Sequence, residues 1–310
     1  MNVAIATWSD GLHLIRSTGR EHELAGLSVR GLTADAHGRA VAIVGGNTLR
    51  RREPSGAWTT LAASDFEPSC CVEIGDELYL GTDDARVFRL AQNGKLEPVP
   101  AFETVAGRDT WYAGSTVING KRMGPPLGVR SIAATADGAL LANVHVGGIP
   151  RSTDRGASWT PTIEVDADVH EVCAHPTRAE LVIAAAAVGL CISRDGGATW
   201  TIEHAGLHAR YCSAVSFVGD HLFVAAAADH FAPQAAIYRR QIDSTGPLER
   251  VGNGLPEWLD GIADTGCVAA RGDVAAICDR GGTLYLSNDA GKSWSRQTAR
   301  VPSPGGVLIL

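Results

Sequence analysis

The octapeptide Ser152-Thr153-Asp154-Arg155-Gly156-Ala157-Ser158-Trp159 returns as Ser193-Arg194-Asp195-Gly196-Gly197-Ala198-Thr199-Trp200 and again as Ser287-Asn288-Asp289-Ala290-Gly291-Lys292-Ser293-Trp294. All three fit Ser-x-Asp-x-Gly-x-x-Trp, a pattern that chance rarely places three times in 310 residues. The residue types describe a stapled β-hairpin. A short Asp side chain bonds backbone N–H groups of its own turn, Gly takes a positive φ, and Trp packs beneath the following strand.

Working outward, each octapeptide is preceded by an apolar run, a turn and a short alternating strand, and this skeleton recurs where the octapeptide has decayed. Seven such strands start near Leu12, Leu49, Val87, Ile149, Leu190, Ile237 and Leu284. Their spacing of about 40 residues is the period of a four-stranded propeller blade. Residue 1 enters directly into what is the second strand elsewhere, whereas the chain ends in an orphan apolar strand, Val307-Leu308-Ile309-Leu310. Together those pieces make one blade, so the ring closes without an open sheet edge. The expected fold is an all-β, seven-bladed propeller of four-stranded antiparallel blades. Its blades span 306–310 with 1–27, then 28–65, 66–102, 125–166, 167–207, 208–260 and 261–305.

The octapeptide resembles the Asp-box, or BNR repeat, of the sialidase-like β-propellers, a family that includes sortilin-type receptors, photosystem assembly propellers and several glycoside hydrolases. The resemblance implies that Asp154, Trp159, Asp195, Trp200, Asp289 and Trp294 are structural and lie on the face opposite the binding site. It does not extend to the sialidase active site. Sialidases carry an Arg-Ile-Pro near the N-terminus, whereas Gly148-Ile149-Pro150-Arg151 reverses that order in mid-chain.

A net charge of -7 and the absence of a Lys/Arg-rich run argue against nucleic acid or an anionic membrane as partner. The first ten residues lack a basic start, and their apolar run is too short for a signal or membrane helix. Seven cysteines without a C-x-x-C pair fall mostly in apolar strand-like stretches, where a reduced thiol acts as a small hydrophobe. A cytoplasmic protein is expected. Gly291-Lys292-Ser293 lacks the upstream Gly of a phosphate-binding loop, and no Gly-x-Ser-x-Gly elbow occurs.

Two insertions break the period. Residues 103–124, carrying Trp111 and Tyr112, and the shorter Asp229-His230-Phe231-Ala232-Pro233-Gln234 both emerge where the inner strands begin, and are expected over the central mouth. The inner strands expected to start at Arg30, Arg130, His170, Tyr211 and Thr265 bring two cations, an imidazole and a phenol to that mouth. Arg30 and Arg130 suit a carboxylate, phosphate or sulfate, with Trp8, Trp111 and Tyr112 as further substrate contacts. His170 and Tyr211 suit proton transfer as base and acid. His145, His170, His208 and His230 are expected on this face. Of these, His145, His170 and His230 can hold a divalent metal with an open coordination position. Asp166, Asp168 and Glu171 can orient His170, and Asp109 or Asp264 can supply a loop carboxylate. The function expected is a lyase or hydrolase acting on a small anionic molecule such as a sugar acid or other carboxylate, with carbohydrate the natural wider class. The alternative is a noncatalytic binding or assembly propeller using Trp8, Trp111, Tyr112 and Trp258 as contacts.

Overall fold

A computed structural model describes residues 2–113, 116–118, 121–123 and 127–310. The described residues form seven four-stranded antiparallel blades in a ring, the sixth with a short fifth strand, Leu259–Asp260, added to its third. The inner strands are Pro304–Ile309, Val29–Ala34, Pro68–Ile74, Gly128–Ala134, Val169–Ala174, Tyr211–Val218 and Val268–Arg271. Each packs against the next, and the seventh against the first. Closure is made by the orphan strand: Val3 faces Ile309, Ala4 faces Leu308 and Ile5 faces Val307 across an antiparallel pair. Thr116–Ile118 and Lys121–Met123 pair as a separate two-stranded antiparallel sheet. Among the described residues, no helix is long and apolar enough to cross a membrane.

The second strands read as unbroken apolar runs because neighbouring blades cover both of their faces. Ala40–Val44 (AVAIV) and Val182–Ala186 (VIAAA) are buried at every residue. Alanine is frequent there because facing sheets approach closely and side chains must fill the gap without overpacking.

The three octapeptides close hairpins between third and fourth strands with nearly identical geometry. Ser152 Oγ donates to Asp154 Oδ1 at 2.8 Å and accepts from the Gly156 N–H at 2.8 Å, while Asp154 Oδ1 accepts from the Ser158 N–H at 2.9 Å. The corresponding distances at Ser193 and Ser287 agree within 0.1 Å. Gly197 has φ +85, and a Cβ there would stand 2.2 Å from Leu141 Cδ2, so this turn of the fifth blade admits only glycine against the fourth.

The described part of the long insertion departs from expectation. Residues 100–111 fold back as two short 3-10 turns, Pro100–Thr104 and Arg108–Thr110, and bury their aromatics rather than offering them to the mouth. Phe102 is fully buried, edge-on to Trp159 at 5.0 Å and tilted to Trp111 at 5.8 Å. Trp111 is therefore a core residue packed with Val144 and Trp159, and Arg108 lies over its ring at 4.8 Å. Burying an indole outweighs any preference of the loop for solvent. Tyr112 exchanges backbone hydrogen bonds with Val146 and donates its hydroxyl to Asp166 at 3.0 Å. Of the expected roof over 103–124, residues 114–115, 119–120 and 124 lie outside the described residues.

Candidate functional site

Antiparallel alternation brings the starts of inner strands and the ends of second strands to one end of the ring. A cavity of about 1050 Å³ opens there, lined by Trp8, Arg30, Arg130, His145, His170, Tyr211 and His230 among others. Trp8 and Phe231 stand at its rim with 54% and 62% of their surface exposed. Trp111 and Tyr112 are outside this lining, and every described residue from 100 to 127 is absent from it.

His145 ends a second strand, and His170 starts the neighbouring inner strand; their rings lie 5.8 Å apart. Asp168, in the loop leading to His170, completes the cluster. Its Oδ1 stands 3.2 Å from His145 Nε2 and 3.7 Å from His170 Nε2. Asp168 holds a left-handed backbone (φ 49), a conformation costing an L-residue roughly 1–3 kcal/mol, and the Ala187 N–H fixes its carbonyl. His170 is almost wholly buried, with Nδ1 2.6 Å from the Cys212 carbonyl oxygen. A carbonyl only accepts, so Nδ1 carries the proton, leaving Nε2 directed to Asp168. Burial, then the Arg130 cation, pushes His145 down to about 4. Burial works to raise the Asp168 carboxyl, but His170, His145 and Arg130 outweigh it and hold it below its ordinary value.

Tyr211 packs its ring 4.5 Å from that of His170 and places its hydroxyl 3.5 Å from His230 Nδ1. Burial raises the phenol well above its ordinary value, so it stays protonated at neutral pH. His230 is lowered by burial and by Arg280, whose Nη2 lies 3.3 Å from both ring nitrogens. His230 thus belongs with Tyr211 and Arg280 rather than with the His145 and His170 cluster, where Asp168 takes the third place expected of it.

Both expected anion-binding cations are already paired. Arg30 Nη1 donates to Asp83 at 3.0 Å. Arg130 donates from Nη2 to Asp264 at 2.8 Å and from Nε to Thr265 Oγ1 at 2.9 Å, and Thr265 Oγ1 donates to the His170 carbonyl at 3.1 Å. Glu171 ties three blades together, accepting from the Val215 and Gly266 N–H groups at 3.0 Å each; burial nevertheless pushes its carboxyl up to about 8.

Several expected mouth residues serve elsewhere. His208 bonds the Tyr238 hydroxyl at 2.8 Å and packs edge-on to Trp258, which also carries Arg250 over its ring at 4.1 Å. Asp109 is exposed on the second 3-10 turn. Asp83 and Arg280 were not singled out by sequence. Each lies in a loop joining second and third strands, the position that also carries His230, and that shared position is the signal that could have found them.

No protein-family model matches the sequence, and no curated protein matches it. Solved structures share its fold. The extracellular domain of a hybrid two-component system from B. thetaiotaomicron superposes with a TM-score of 0.62 at 15% identity, covering 94% of this chain and 37% of that one. YCF48 bound to D1 peptide superposes at 0.56 with 15% identity, covering 87% and 80% respectively. A GH74 xyloglucanase from Xanthomonas campestris superposes at 0.57 with 17% identity, covering 96% and 46%. This chain therefore spans less than half of the first and third of these proteins. At such identities the likeness establishes the β-propeller and nothing finer.

Proposed function

We propose that this chain is an enzyme with its site in the central mouth, a lyase or hydrolase acting on a small molecule that carries an anionic group, such as a sugar acid or another carboxylate. The three octapeptide hairpins support placing it with the Asp-box propellers. The observation that carries the enzymatic reading is the continuity of His145, Asp168, His170, Tyr211 and His230 along one wall of the cavity. Tyr211 supplies a neutral O–H and His230 a neutral imidazole to relay its proton, an acid–base pair at hydrogen-bond range. Nε2 of His170 faces Asp168 rather than the opening, so His170 belongs to the Asp168 cluster instead of acting as a free base. Arg130 has Nε and Nη2 engaged and offers its remaining nitrogen to a substrate anion. The cysteines are free thiols, nearly all buried, which supports a reducing, cytoplasmic setting.

The test is calorimetric titration and turnover with a panel of uronic acids and small hydroxy acids. Tyr211→Phe should abolish turnover with binding retained, whereas Arg130→Ala should mainly raise the dissociation constant, because a fixed cation serves ground and transition states alike. If no panel member binds, or if neither substitution matters, the enzymatic reading is wrong. The exposed Trp8 and Phe231 at the rim favour the second reading, a noncatalytic binding or assembly propeller. YCF48, a neighbour in fold, was solved bound to a peptide.

A further inference from the structure

We propose that the mouth holds one divalent first-row transition-metal ion on Nε2 of His145, a carboxylate oxygen of Asp168 and Nε2 of His170. The inference rests on the reading of the mouth as the functional site and names the electrophile of that site. The potential ligand atoms of the three residues lie within 4.8 Å of one another. An ion about 2.0–2.2 Å from each ligand sets ligands roughly 2.8–3.6 Å apart in octahedral or tetrahedral arrangement; the Asp168 separation from His145, 3.2 Å, falls inside that range and the one from His170, 3.7 Å, just above it.

The hydrogen bonding makes the same demand. With Nδ1 committed to the Cys212 carbonyl, His170 turns Nε2 toward an Asp168 carboxylate oxygen that is itself buried without a hydrogen-bond partner. A carboxylate oxygen so placed between two imidazole nitrogens is satisfied by a cation, and the spacing of the three residues suits a metal ion. The mouth as a whole is suited to one: Asp83, Asp168, Asp229 and Asp264 line it against Arg30 and Arg130. Two imidazoles and one carboxylate supplied from one wall leave the remaining coordination positions open toward the cavity, the arrangement of ions that bind and polarise a substrate oxygen. A carboxylate substrate would dock on the ion, which accounts for an anion site whose arginines are already paired.

A second group of the same residue types shows what distinguishes a ligand set from a structural cluster. Asp10, His13 and His22 also come together. At His13, however, Nδ1 accepts from the Arg20 guanidinium at 2.6 Å, which puts the proton on Nε2, so the ring faces Asp10, 3.2 Å away, with an N–H rather than with a ligand atom. The lone pair is already spent and a cation already stands beside the ring.

The experiment strips the protein with chelator, reloads it with Co²⁺ or Zn²⁺, and reads elemental stoichiometry, the visible Co²⁺ bands and calorimetric affinity. One ion per chain is expected. Asp168→Asn and His145→Ala should weaken binding by more than the roughly 10–100-fold typical of losing an outer-shell partner, and Asp10→Asn should leave it unchanged. Because the wild-type Co²⁺ spectrum needs no variant to fold, it stands as an independent reading: bands of a nitrogen and oxygen site support the proposal. Absence of stoichiometric binding by the wild type, or binding indifferent to both substitutions, overturns it. Uronic-acid binding that persists in metal-free protein and still depends on Arg130 would remove the metal while leaving the mouth as the site.

Discussion

Asp195→Ala tests the division of labour between the two ends of the ring. In the wild type Asp195 Oδ1 accepts from the Ala198 and Thr199 N–H groups at 3.1 and 2.9 Å and from Ser193 Oγ at 2.8 Å, while Oδ2 accepts from Thr199 Oγ1 at 2.6 Å. Each such bond contributes roughly 0.5–1.5 kcal/mol when its partners are shielded, but Asp195 is exposed and water replaces much of what is lost. A net cost of about 1–2 kcal/mol follows, well below the nominal sum of four bonds. At roughly 2.1 cal/mol/K of unfolding entropy per residue, a 310-residue unit loses about 2–3 °C in Tm. The mouth should not register the change. Ser193 pairs with Val182, and Val182 with Ala174, whereas Ala186 pairs with Val169 at the mouth, so four residues of strand separate the hairpin from His170. That is about 13 Å along the blade. Calorimetry and urea unfolding measure the first effect, and ligand or metal titration the second. A fully folded variant with altered mouth affinity would refute the placement of the site, and a loss above about 4 kcal/mol would refute the accounting of the turn.

The same hairpins set an acid limit. Hydrogen bonds from Ser158 and Ser152 hold Asp154 down at about 2, and those from Ser293 and Ser287 do the same for Asp289. A carboxyl depressed on folding contributes stability that is fully present above its unfolded value near 3.9 and is lost as pH falls through the folded one. Urea midpoints should therefore fall between pH 4 and pH 2, and Asp154→Asn with Asp289→Asn should flatten that dependence; an unchanged slope would show that other carboxyls control acid unfolding. Phe102→Ala should cost about 3–5 kcal/mol, because it empties the space between Trp111 and Trp159. Its ligand affinity should stay at the wild-type value, and a large loss of affinity in the folded variant would return the insertion to the mouth.

The propeller was legible because its signals are local and repeated. A hairpin octapeptide, a period near 40 residues and complementary orphan strands at the two ends each speak about one blade, and agreement among them identifies the ring. Trp111 shows where local reading ends. An aromatic in an insertion can face a cavity or a gap between blades, and composition does not separate the two. Phe102 decides it, since its ring fits between Trp111 and Trp159 and draws the segment inward. The candidate site was legible residue by residue at the strand starts, but its pairings were not. Arg30 meets a carboxylate 53 residues away and Arg130 one 134 residues away, each brought into range by the ring and by nothing in the adjacent sequence.

Those pairings change the charge balance of the site. Read as a list, Arg30, Arg130, His170, Tyr211 and Thr265 describe a mouth that attracts anions. In three dimensions Asp83 and Asp264 neutralise the two arginines, Asp168 and Asp229 remain against Arg280 beside His230, and Glu171 with its raised pKa adds little charge at neutral pH. A surface of that balance attracts a free carboxylate less than the two arginines alone would, and an added cation would strengthen the attraction. The place proposed for that cation is where a carboxylate oxygen lies unpartnered between two imidazoles. On the proposed metal site an anionic substrate and an acidic mouth are compatible, with the cation binding first and the carboxylate second. Measured affinity for a small carboxylate should accordingly rise with metal loading in the wild type, and the rise should vanish in Asp168→Asn while Asp10→Asn retains it.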